Sequence, residues 1–302
     1  MTVTPRVAEH SWSRRLVSGT RPGRAVVSRF VAGASVEDAM RVAASLDRRR
    51  ITSMLDVLGE NARIEAQAER ARRAHLEAIA AIRRAPDLDC AISLKLSQLG
   101  LEISSDVCLA NVEPIVDEAA RSGTVVMIDM ESVEYVDATL RVFREAHARY
   151  RKVGVALQSS LRRTERDLEA LPPGSRIRLV RGGYLEPSEA AYRSTHEIAG
   201  SYARLFTTLF ARGYSIDVAT HDPRLLEGVR RRVDAAGEGW ARVELHMRYG
   251  VRRDLHARFA GQGYPVRVCV PYGTEWYPYL TRRLAERPAD VWFFLSNLLR
   301  IR

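Results

Sequence analysis

The sequence has 302 residues, 46% of them hydrophobic, which is enough apolar material to fill one large core within a single compact unit. No apolar run approaches the ~18 residues of a membrane span. The N-terminus lacks the apolar stretch of a secretory signal, and the cysteines are too few and scattered for a disulfide framework or zinc ribbon. We therefore expect a cytoplasmic protein.

The net charge of +10 comes from basic residues spread over the whole chain, with no recognisable nucleic-acid-binding motif among them. We therefore expect no nucleic-acid partner. The positive charge does suit peripheral attachment to an anionic membrane surface.

Short runs rich in β-branched residues alternate with helical stretches along the chain. The eight runs predicted as strands are Ile51–Leu58, Cys90–Leu96, Thr124–Met130, Val153–Gln158, Arg176–Val180, Tyr214–Thr220, Arg242–Met247 and Pro265–Val270. The intervals between them are long enough for one helix and two loops each. This arrangement predicts an α/β fold of the (β/α)8 (TIM) barrel type, in which strand ends line the active site.

Polar residues stand at the end of almost every predicted strand. The rim predicted from them consists of Asp56, Glu60, Lys95, Asp129, Glu131, Gln158, Arg178, Arg181, His221, Asp222, His246 and Tyr272.

Two helical segments are predicted to flank the strands. Residues 1–50 have a helical pattern and are predicted to form an N-terminal arm, whereas residues 51–302 form the catalytic barrel. Within the arm, Phe30–Ala44 contains Ser35 as a candidate N-cap, with Asp38 three residues later. After the last strand, a helix starting near Trp276 is predicted over the barrel mouth.

This last helix carries Tyr279, Arg282, Arg283 and Glu286 on one face, because they are spaced by three and four residues. Adjacent arginines at a barrel mouth suit a clamp for a carboxylate or phosphate. A solvated basic turn is the alternative interpretation.

Lysine is rare in this chain, since only Lys95 and Lys152 are lysines among 47 basic residues. Lys152 lies in an arginine-rich turn and is expected to face water. Lys95 lies within an apolar strand at the predicted rim, where a compact ammonium is not interchangeable with a guanidinium. We therefore expect a functional role for Lys95.

Seven motifs, in this order, resemble the proline dehydrogenase family. They are LDVLGE at 55–60, SLKLSQLG at 93–100, IDME at 128–131, LQSSLRR at 157–163, RLVRGGY at 178–184, ATHD at 219–222 and WYPYLTRRLAERP at 276–288. The resemblance covers nearly the whole chain after residue 50. It implies a distorted (β/α)8 barrel that binds FAD and oxidises L-proline to pyrroline-5-carboxylate by hydride transfer to flavin N5. It also implies a quinone or other electron acceptor, for which a membrane surface is a candidate location.

The resemblance assigns roles to the matching positions. Asp129 would hold the cationic side chains in place, and Arg178 would approach flavin N5. Residues expected to bind the substrate are Lys95, Tyr184, Arg248, Tyr279, Arg282 and Arg283. Residues expected to bind FAD are Met130, Gln158, Arg181, Gly182, Gly183, Thr220, His221 and Glu286. No resident metal is expected.

The proposed reaction agrees with these residue types. Hydride leaves the carbon beside a secondary amine, and the amine must be neutral for its lone pair to assist. A free alkylamine has a pKa near ~10. Several cations around the amine would favour its neutral form.

The chain departs from the family pattern at four positions. Arg181 and Gly183 stand where the family has Lys and Ala. Arg248 replaces a leucine that helps to form the apolar wall around the substrate ring, and Cys269 replaces a tyrosine. A guanidinium at such a wall costs desolvation unless it has an anionic partner. Either Arg248 is turned away or paired with an acidic residue, or the substrate is a more polar or dicarboxylic secondary amine.

Three other functions fit parts of the sequence. Lys95 at a strand end suits a Schiff-base aldolase. His221, Asp222 and His246 could bind zinc in a hydrolase, although strand one lacks an HxH pair. A flavin-free binding module is the third. The sequence predicts no oligomeric state.

Overall fold

The computed structural model describes residues 20–286 of the chain, without the side chains of residues 21–23, 26 and 282–286. Its centre is a closed barrel of eight parallel strands hydrogen-bonded in chain order. The strands are β1 Thr52–Val57, β2 Cys90–Leu94, β3 Val126–Ile128, β4 Val153–Gln158, β5 Arg176–Val180, β6 Ser215–Ala219, β7 Val243–Arg248 and β8 Val266–Tyr272. All eight predicted strands are confirmed, and so is the (β/α)8 fold.

Helices surround this barrel. They are α1 Arg21–Phe30, α2 Val36–Asp47, α3 Glu65–Arg83, α4 Ser105–Ser122, α5 Val136–Arg149, α6 Thr164–Glu169, α7 Thr195–Ala211, α8 Pro223–Ala236, α9 Arg253–Gly261 and α10 Trp276–Glu286. Short 3-10 turns follow β2 at Leu96–Leu99 and precede α5 at Val133–Tyr135. Every helix of the described residues is too short or too polar to cross a bilayer.

The start of α2 follows the sequence prediction. Ser35 is the N-cap, and it forms a reciprocal capping box with Asp38. Phe30 belongs to the end of α1, and the chain between Phe30 and Ser35 is not helical.

The two ends of the described chain depart from the arrangement of helices in a regular (β/α)8 barrel. Helix α2 packs against β8 and β1, where the eighth helix of a regular barrel would lie. Helix α10 instead follows β8 after a short turn, and its Leu280 packs on Phe30 of α1. The Gly273 N–H donates to the Gly33 carbonyl at 3.0 Å, which ties this turn to the arm. Helix α10 therefore lies at the carboxyl end of the strands.

Side-chain alternation divides each strand into two faces. The outward residues, such as Leu55, Ile92 and Val155, belong to the main core under the helices. The inward residues form a separate and largely polar interior, with a small apolar layer of Met54, Ala91 and Met127. Polar groups on the inner face therefore collect at the two ends of the barrel.

Candidate active site

A cluster of charged and polar side chains lies inside the carboxyl end of the barrel. We call Asp56, Ser93, Lys95, Asp129 and Arg178 the mouth cluster. Asp56 lies near the end of β1, Lys95 directly follows β2, Asp129 directly follows β3, and Arg178 is the third residue of β5. Strand register places Asp56 opposite Ser93. Inner-face alternation therefore brings these residues from four strands to one place.

Asp129 bridges the two cations of the mouth cluster. The Arg178 Nη1 donates to Asp129 Oδ1 at 2.8 Å, and the Ser93 hydroxyl donates to the same oxygen at 2.9 Å. The Lys95 Nζ lies 3.6 Å from Asp129 Oδ2 and forms an ion pair with Asp56. Asp129 thus fixes the positions of Lys95 and Arg178 relative to each other. Electrostatic catalysis requires charges that are held in place in this way.

The charges of this cluster reinforce one another. Burial alone would lower the pKa of Lys95, but Asp56 and Asp129 outweigh burial and raise it above its usual value. Burial alone would raise the pKa of Asp129, but Arg178 and Lys95 hold it below its usual range. Lys95 is therefore an ammonium and Asp129 a carboxylate at neutral pH.

Glu131 was predicted at the rim but has a structural contact there. Its carboxyl group accepts hydrogen bonds from the Ser97 N–H at 2.9 Å and the Ser97 hydroxyl at 2.6 Å. Burial raises the pKa of Glu131. Glu131 therefore ties the loop after β3 to the turn after β2.

Two buried polar atoms beside the mouth cluster have no hydrogen-bond partner among the described residues. They are Gln158 Oε1 and Arg178 Nε. The Gln158 Nε2 donates to the Glu131 carbonyl at 2.5 Å. This bond fixes the orientation of the amide and therefore the position of its Oε1. Buried polar atoms are normally satisfied, so such a pair calls for an explanation. One acceptor and one donor fit a bound ring with both kinds of group on its edge, as in a flavin.

The loop after β5 approaches this place closely. Gly182 has a φ of 101°, and a Cβ there would lie 2.0 Å from Ser160 Oγ and 2.9 Å from Gln158 Oε1. Gly183 has open space around its Cβ position, and Tyr184 is exposed. Arg181 is exposed and donates to Thr195 Oγ1 at 3.2 Å, at the start of α7. A basic, glycine-containing loop beside the mouth suits the phosphates of a dinucleotide cofactor.

The loop after β6 holds two further residues expected to bind the cofactor. Thr220 is buried, and its hydroxyl accepts the Asp222 N–H at 3.1 Å. The His221 Nε2 accepts the Arg248 N–H at 3.0 Å, so this nitrogen carries no proton. Met130, expected at the flavin, is buried just after Asp129.

The zinc-hydrolase alternative does not fit the residues that it named. His221 Nε2 accepts a backbone hydrogen bond, and Asp222 caps α8 by accepting the Arg224 N–H at 2.8 Å. His246 lies below the rim, inside the barrel. Among the described residues, these three do not form a group with metal-ligand spacing.

His246 belongs to a second polar cluster. We call Arg176, Asp217, Glu244, His246 and Arg267 the floor cluster, because Arg176, Glu244 and Arg267 come from the amino ends of β5, β7 and β8. Arg176 pairs with Asp217 at 2.8 Å and with Glu244 at 2.6 Å, and Arg267 pairs with Glu244 at 2.9 Å. His246 Nε2 lies 2.9 Å from Glu244. Burial lowers the pKa of His246, which therefore stays neutral.

Asp217, Glu244 and His246 have ligand atoms close enough for a metal ion. Their carboxylates are, however, already paired with Arg176 and Arg267. Two guanidinium groups in contact with these oxygens oppose a cation there. The group is therefore an ion-pair network.

At the other side of the mouth, β7 ends in Arg248, whose register partner is Cys269 in the middle of β8. Arg248 is exposed, and the Cys269 Sγ lies 4.0 Å from Asp56 Oδ2. Tyr279 of α10 is half-buried; burial raises its pKa, and Arg248, Cys269 and Asp56 act on it electrostatically. Tyr279 thus lies at the mouth, as predicted. The side chains of Arg282, Arg283 and Glu286 lie outside the described residues.

Two members of the mouth cluster were missed or left without a role by the sequence prediction. Ser93 contacts both Asp129 and Arg178, and Asp56 is the partner of Lys95. Ser93 could have been found, because it lies two residues before Lys95 and alternation places both on the same face.

Comparison with known proteins agrees with this geometry. The family model described as proline dehydrogenase matches residues 39–294. A proline dehydrogenase from Deinococcus radiodurans is 37% identical over 283 residues, which cover 91% of this chain and 90% of the relative. Proline dehydrogenase 1 from Bacillus subtilis is 33% identical over 285 residues, which cover 93% and 92% of the two chains.

Solved structures show the same barrel. Proline utilization A from Bdellovibrio bacteriovorus, inactivated by N-propargylglycine, matches with a TM-score of 0.80 and 21% identity over 87% of this chain. A mutant of proline utilization A from Bradyrhizobium japonicum matches with a TM-score of 0.73 and 21% identity over 89% of this chain. This chain spans about a third of those longer proteins, at 33% and 31%. On the family model and the curated relatives together, this chain belongs to the proline dehydrogenase family of oxidoreductases.

Proposed function

We propose that this enzyme oxidises L-proline to pyrroline-5-carboxylate, with FAD as the electron acceptor in the site. In this reaction a hydride leaves the ring carbon with both electrons, the amine nitrogen loses a proton, and a C=N bond forms. The two-electron acceptor for this hydride would be bound FAD, at flavin N5. A quinone or another acceptor would then reoxidise it.

The mouth cluster is the observation that supports this proposal most strongly. It holds Lys95 and Arg178 between two carboxylates, Asp56 and Asp129, at the end of the barrel where enzymes of this fold have their active sites. Because the charges of this cluster balance, the positive charge that disfavours protonation of a substrate amine would come from the two arginines of α10. The neutral amine is the form that can release hydride.

We assign the catalytic roles to Asp129 and Arg178. Asp129 holds Arg178 and Lys95 in place, and the buried Nε of Arg178, which has no partner among the described residues, would donate to the cofactor ring. The proposed substrate-binding residues are Lys95, Tyr184, Arg248, Tyr279, Arg282 and Arg283. Because both arginines lie on α10 at the barrel mouth, they suit a clamp for the substrate carboxylate.

The cofactor would be held by residues around the two orphaned buried atoms. Gln158 Oε1 would accept a hydrogen bond from the ring edge, and Gly182 allows the loop to come close to it. The other residues proposed to bind FAD are Met130, Arg181, Gly183, Thr220, His221 and Glu286.

The proposal is tested by the absorption spectrum of the purified protein and by anaerobic addition of L-proline. We expect a flavin band near ~450 nm that L-proline bleaches and D-proline bleaches much more slowly. The product should react as a cyclic imine. A protein that binds no flavin, or whose flavin L-proline leaves oxidised, contradicts the proposal.

The carboxylate clamp has its own test. Replacing Arg282 or Arg283 by Ala should weaken L-proline binding by ~2–4 kcal/mol while FAD remains bound, because each removes one arm of a charge-assisted clamp. Unchanged apparent affinity in both variants would remove the clamp from the proposal.

A Schiff-base aldolase is disfavoured by the state of Lys95. A nucleophilic amine must be neutral, whereas Asp56 and Asp129 hold Lys95 as an ammonium. Borohydride added with substrate should leave Lys95 unmodified. A covalent adduct on Lys95 by mass spectrometry would favour the aldolase instead.

A further inference from the structure

We propose that Asp56 is a positioning residue of this enzyme, which holds the Lys95 ammonium where it can receive the carboxylate of the incoming substrate. Asp56 would act through Lys95 and would not itself bind the substrate. This inference rests on the proposed function, because it concerns how the substrate is bound in the same oxidation.

Asp56 lies on a rigid part of the barrel. It is the fifth of the six residues of β1, and its register partners are Ser93 on β2 and Pro271 on β8. Lys95, in contrast, lies beyond the end of β2, directly before a short 3-10 turn. Its ammonium is carried on a flexible stem of four carbons. A carboxylate fixed on the neighbouring strand can therefore decide where this charge is held.

The two carboxylates of the mouth cluster each have a different closest cation. Asp129 Oδ1 accepts hydrogen bonds from Arg178 at 2.8 Å and from Ser93 at 2.9 Å. Asp129 Oδ2 lies 3.6 Å from the Lys95 Nζ, which is too long for a hydrogen bond. Lys95 instead donates its hydrogen bond to Asp56 Oδ1. Asp56 is therefore the closer partner of Lys95, and Asp129 is the closer partner of Arg178.

This arrangement leaves Lys95 able to bind a ligand. An ammonium has three N–H donors, and Asp56 accepts one of them. The side chain of Lys95 is 23% exposed, whereas that of Asp56 is only 11% exposed. The ammonium can thus be reached from the barrel mouth, while the carboxylate that holds it is more deeply buried. Such a cation suits a substrate carboxylate that arrives from outside.

Asp56 also keeps Lys95 charged. Burial is the largest influence on the pKa of Lys95 and lowers it, and Asp56 is the largest of the influences that raise it, ahead of Asp129. The Cys269 thiol, 4.0 Å from Asp56 Oδ2, stays neutral because burial raises its pKa to about 12. Replacing Asp56 by a neutral residue should therefore favour loss of the Lys95 proton.

The protonation of Lys95 can be measured against an internal standard, because the sequence contains one other lysine, Lys152. Lys152 is exposed and precedes β4, at the opposite end of the barrel. The measurement is acetylation of the flavin-loaded protein at pH 8.5, read by peptide mass spectrometry as the ratio of label on Lys95 to label on Lys152. Asp56→Asn should raise this ratio about tenfold or more, since only a neutral amine reacts.

Binding is measured by calorimetric titration of the flavin-loaded protein with oxolane-2-carboxylate, a ring-oxygen analogue without the N–H whose proton must leave. Asp56→Asn keeps the shape of the side chain and one acceptor oxygen, and it should weaken binding about fivefold or more. In a Lys95→Met background the same change should weaken binding no further, because no ammonium is left to position. A purely structural role of Asp56 would weaken binding equally in both backgrounds.

Asp106→Asn is the matched control. Asp106 also pairs with a cation, Arg141, but its side chain is 82% exposed on α4, so this variant should change neither the label ratio nor the affinity. Asp56→Ser is a second variant of the test position, for the case that Asp56→Asn does not fold. An unchanged label ratio, equal weakening in both backgrounds, or loss of folding in both Asp56 variants overturns the inference.

Anaerobic flavin reduction separates this inference from the proposed function. Reduction by L-proline that needs a higher substrate concentration for its half-maximal rate in Asp56→Asn than in the unmodified protein supports both. Reduction with the same concentration dependence in the two proteins overturns only the role of Asp56. No bound flavin, or no reduction by L-proline in the unmodified protein, overturns the proposed function and this inference with it.

Discussion

The two ends of the barrel interior contain similar residues but use them differently. Both the floor cluster and the mouth cluster hold two carboxylates between cationic side chains. In the floor cluster the single carboxylate of Glu244 contacts three other side chains, which are those of Arg176, Arg267 and His246. In the mouth cluster the Arg178 Nε has no partner among the described residues, and neither has the neighbouring Gln158 Oε1.

This difference distinguishes the charges that stabilise the barrel from the charges that we propose to act on a ligand. A buried ion pair stabilises a fold only when its hydrogen bonds are complete, and the floor cluster meets that condition. Incomplete contacts at the mouth cost free energy unless a ligand supplies the missing partners. Residue type alone would not distinguish the two ends; the direction of the strands does.

The largest effect on stability is expected from Glu244→Leu in the floor cluster. Removing this carboxylate leaves Arg176 and Arg267 inside the barrel with fewer partners, and breaking such a network costs roughly 3–5 kcal/mol. Urea unfolding should show this loss in the free energy of unfolding. A loss below about 1 kcal/mol would mean that the floor cluster does not stabilise the barrel.

A smaller effect, on the mouth, is expected from Gly182→Ala. Its positive φ and the 2.0 Å approach of a Cβ to Ser160 Oγ force the loop to move away from Gln158. FAD affinity, measured by fluorescence titration of the apoprotein, should fall about tenfold or more, a change of about 1.4 kcal/mol.

Gly183→Ala is the matched control for that loop. Its Cβ position is open and its φ is not positive. Ala also keeps the backbone groups, which are all that Gly183 could offer to FAD, so the FAD affinity of this variant should stay close to that of the unmodified protein. Equal losses in both variants would indicate that the loop tolerates no side chain for a reason other than the approach to Ser160 and Gln158.

The smallest effect is expected on the way in which the free energy of unfolding depends on pH, through His246 of the floor cluster. Burial keeps the folded pKa of His246 below its usual value, so the unfolded chain takes up a proton that the folded protein excludes. The resulting stability is present above the unfolded pKa, about 6.5, and is lost as pH falls through the folded pKa. His246→Gln should reduce the loss between pH 7 and pH 5 by on the order of 1 kcal/mol.

The control for this measurement is His196→Asn, because His196 is exposed on α7. Unfolding by urea at the two pH values should give the same pH dependence for this variant as for the unmodified protein. An unchanged pH dependence in His246→Gln as well would contradict a neutral His246 in the folded floor cluster.

The fold was predictable because local sequence pattern and global topology agree. Parallel strands covered on both faces form short apolar runs, and eight such runs were found with boundaries close to those observed. The arm was less predictable. Phe30 and Val36 belong to different helices, and Phe30 packs on Leu280 of α10, which is distant in the sequence.

The mouth was predictable where a polar residue follows a strand, as for Lys95 and Asp129. The height of a residue along the barrel axis was not predictable, because it depends on how far neighbouring strands are shifted relative to one another. His246 therefore looked like a rim residue although Arg248 is the residue that reaches the mouth. The pairing of Lys95 with Asp56 depends on two strands 39 residues apart and left no local signal.

The central claim is that the mouth cluster acts in catalysis whereas the floor cluster stabilises the barrel. Its most direct test compares two variants that each remove one negative charge, Asp129→Asn at the mouth and Glu244→Gln at the floor. The measurement is the rate of anaerobic flavin reduction by L-proline, per folded and flavin-loaded molecule. Asp129→Asn should slow reduction about 100-fold or more, because Lys95 and Arg178 lose the group that positions them. Glu244→Gln should stay within about threefold while lowering the free energy of unfolding. Equal losses of rate, or a larger loss in Glu244→Gln, would contradict the assignment of catalysis to the mouth cluster.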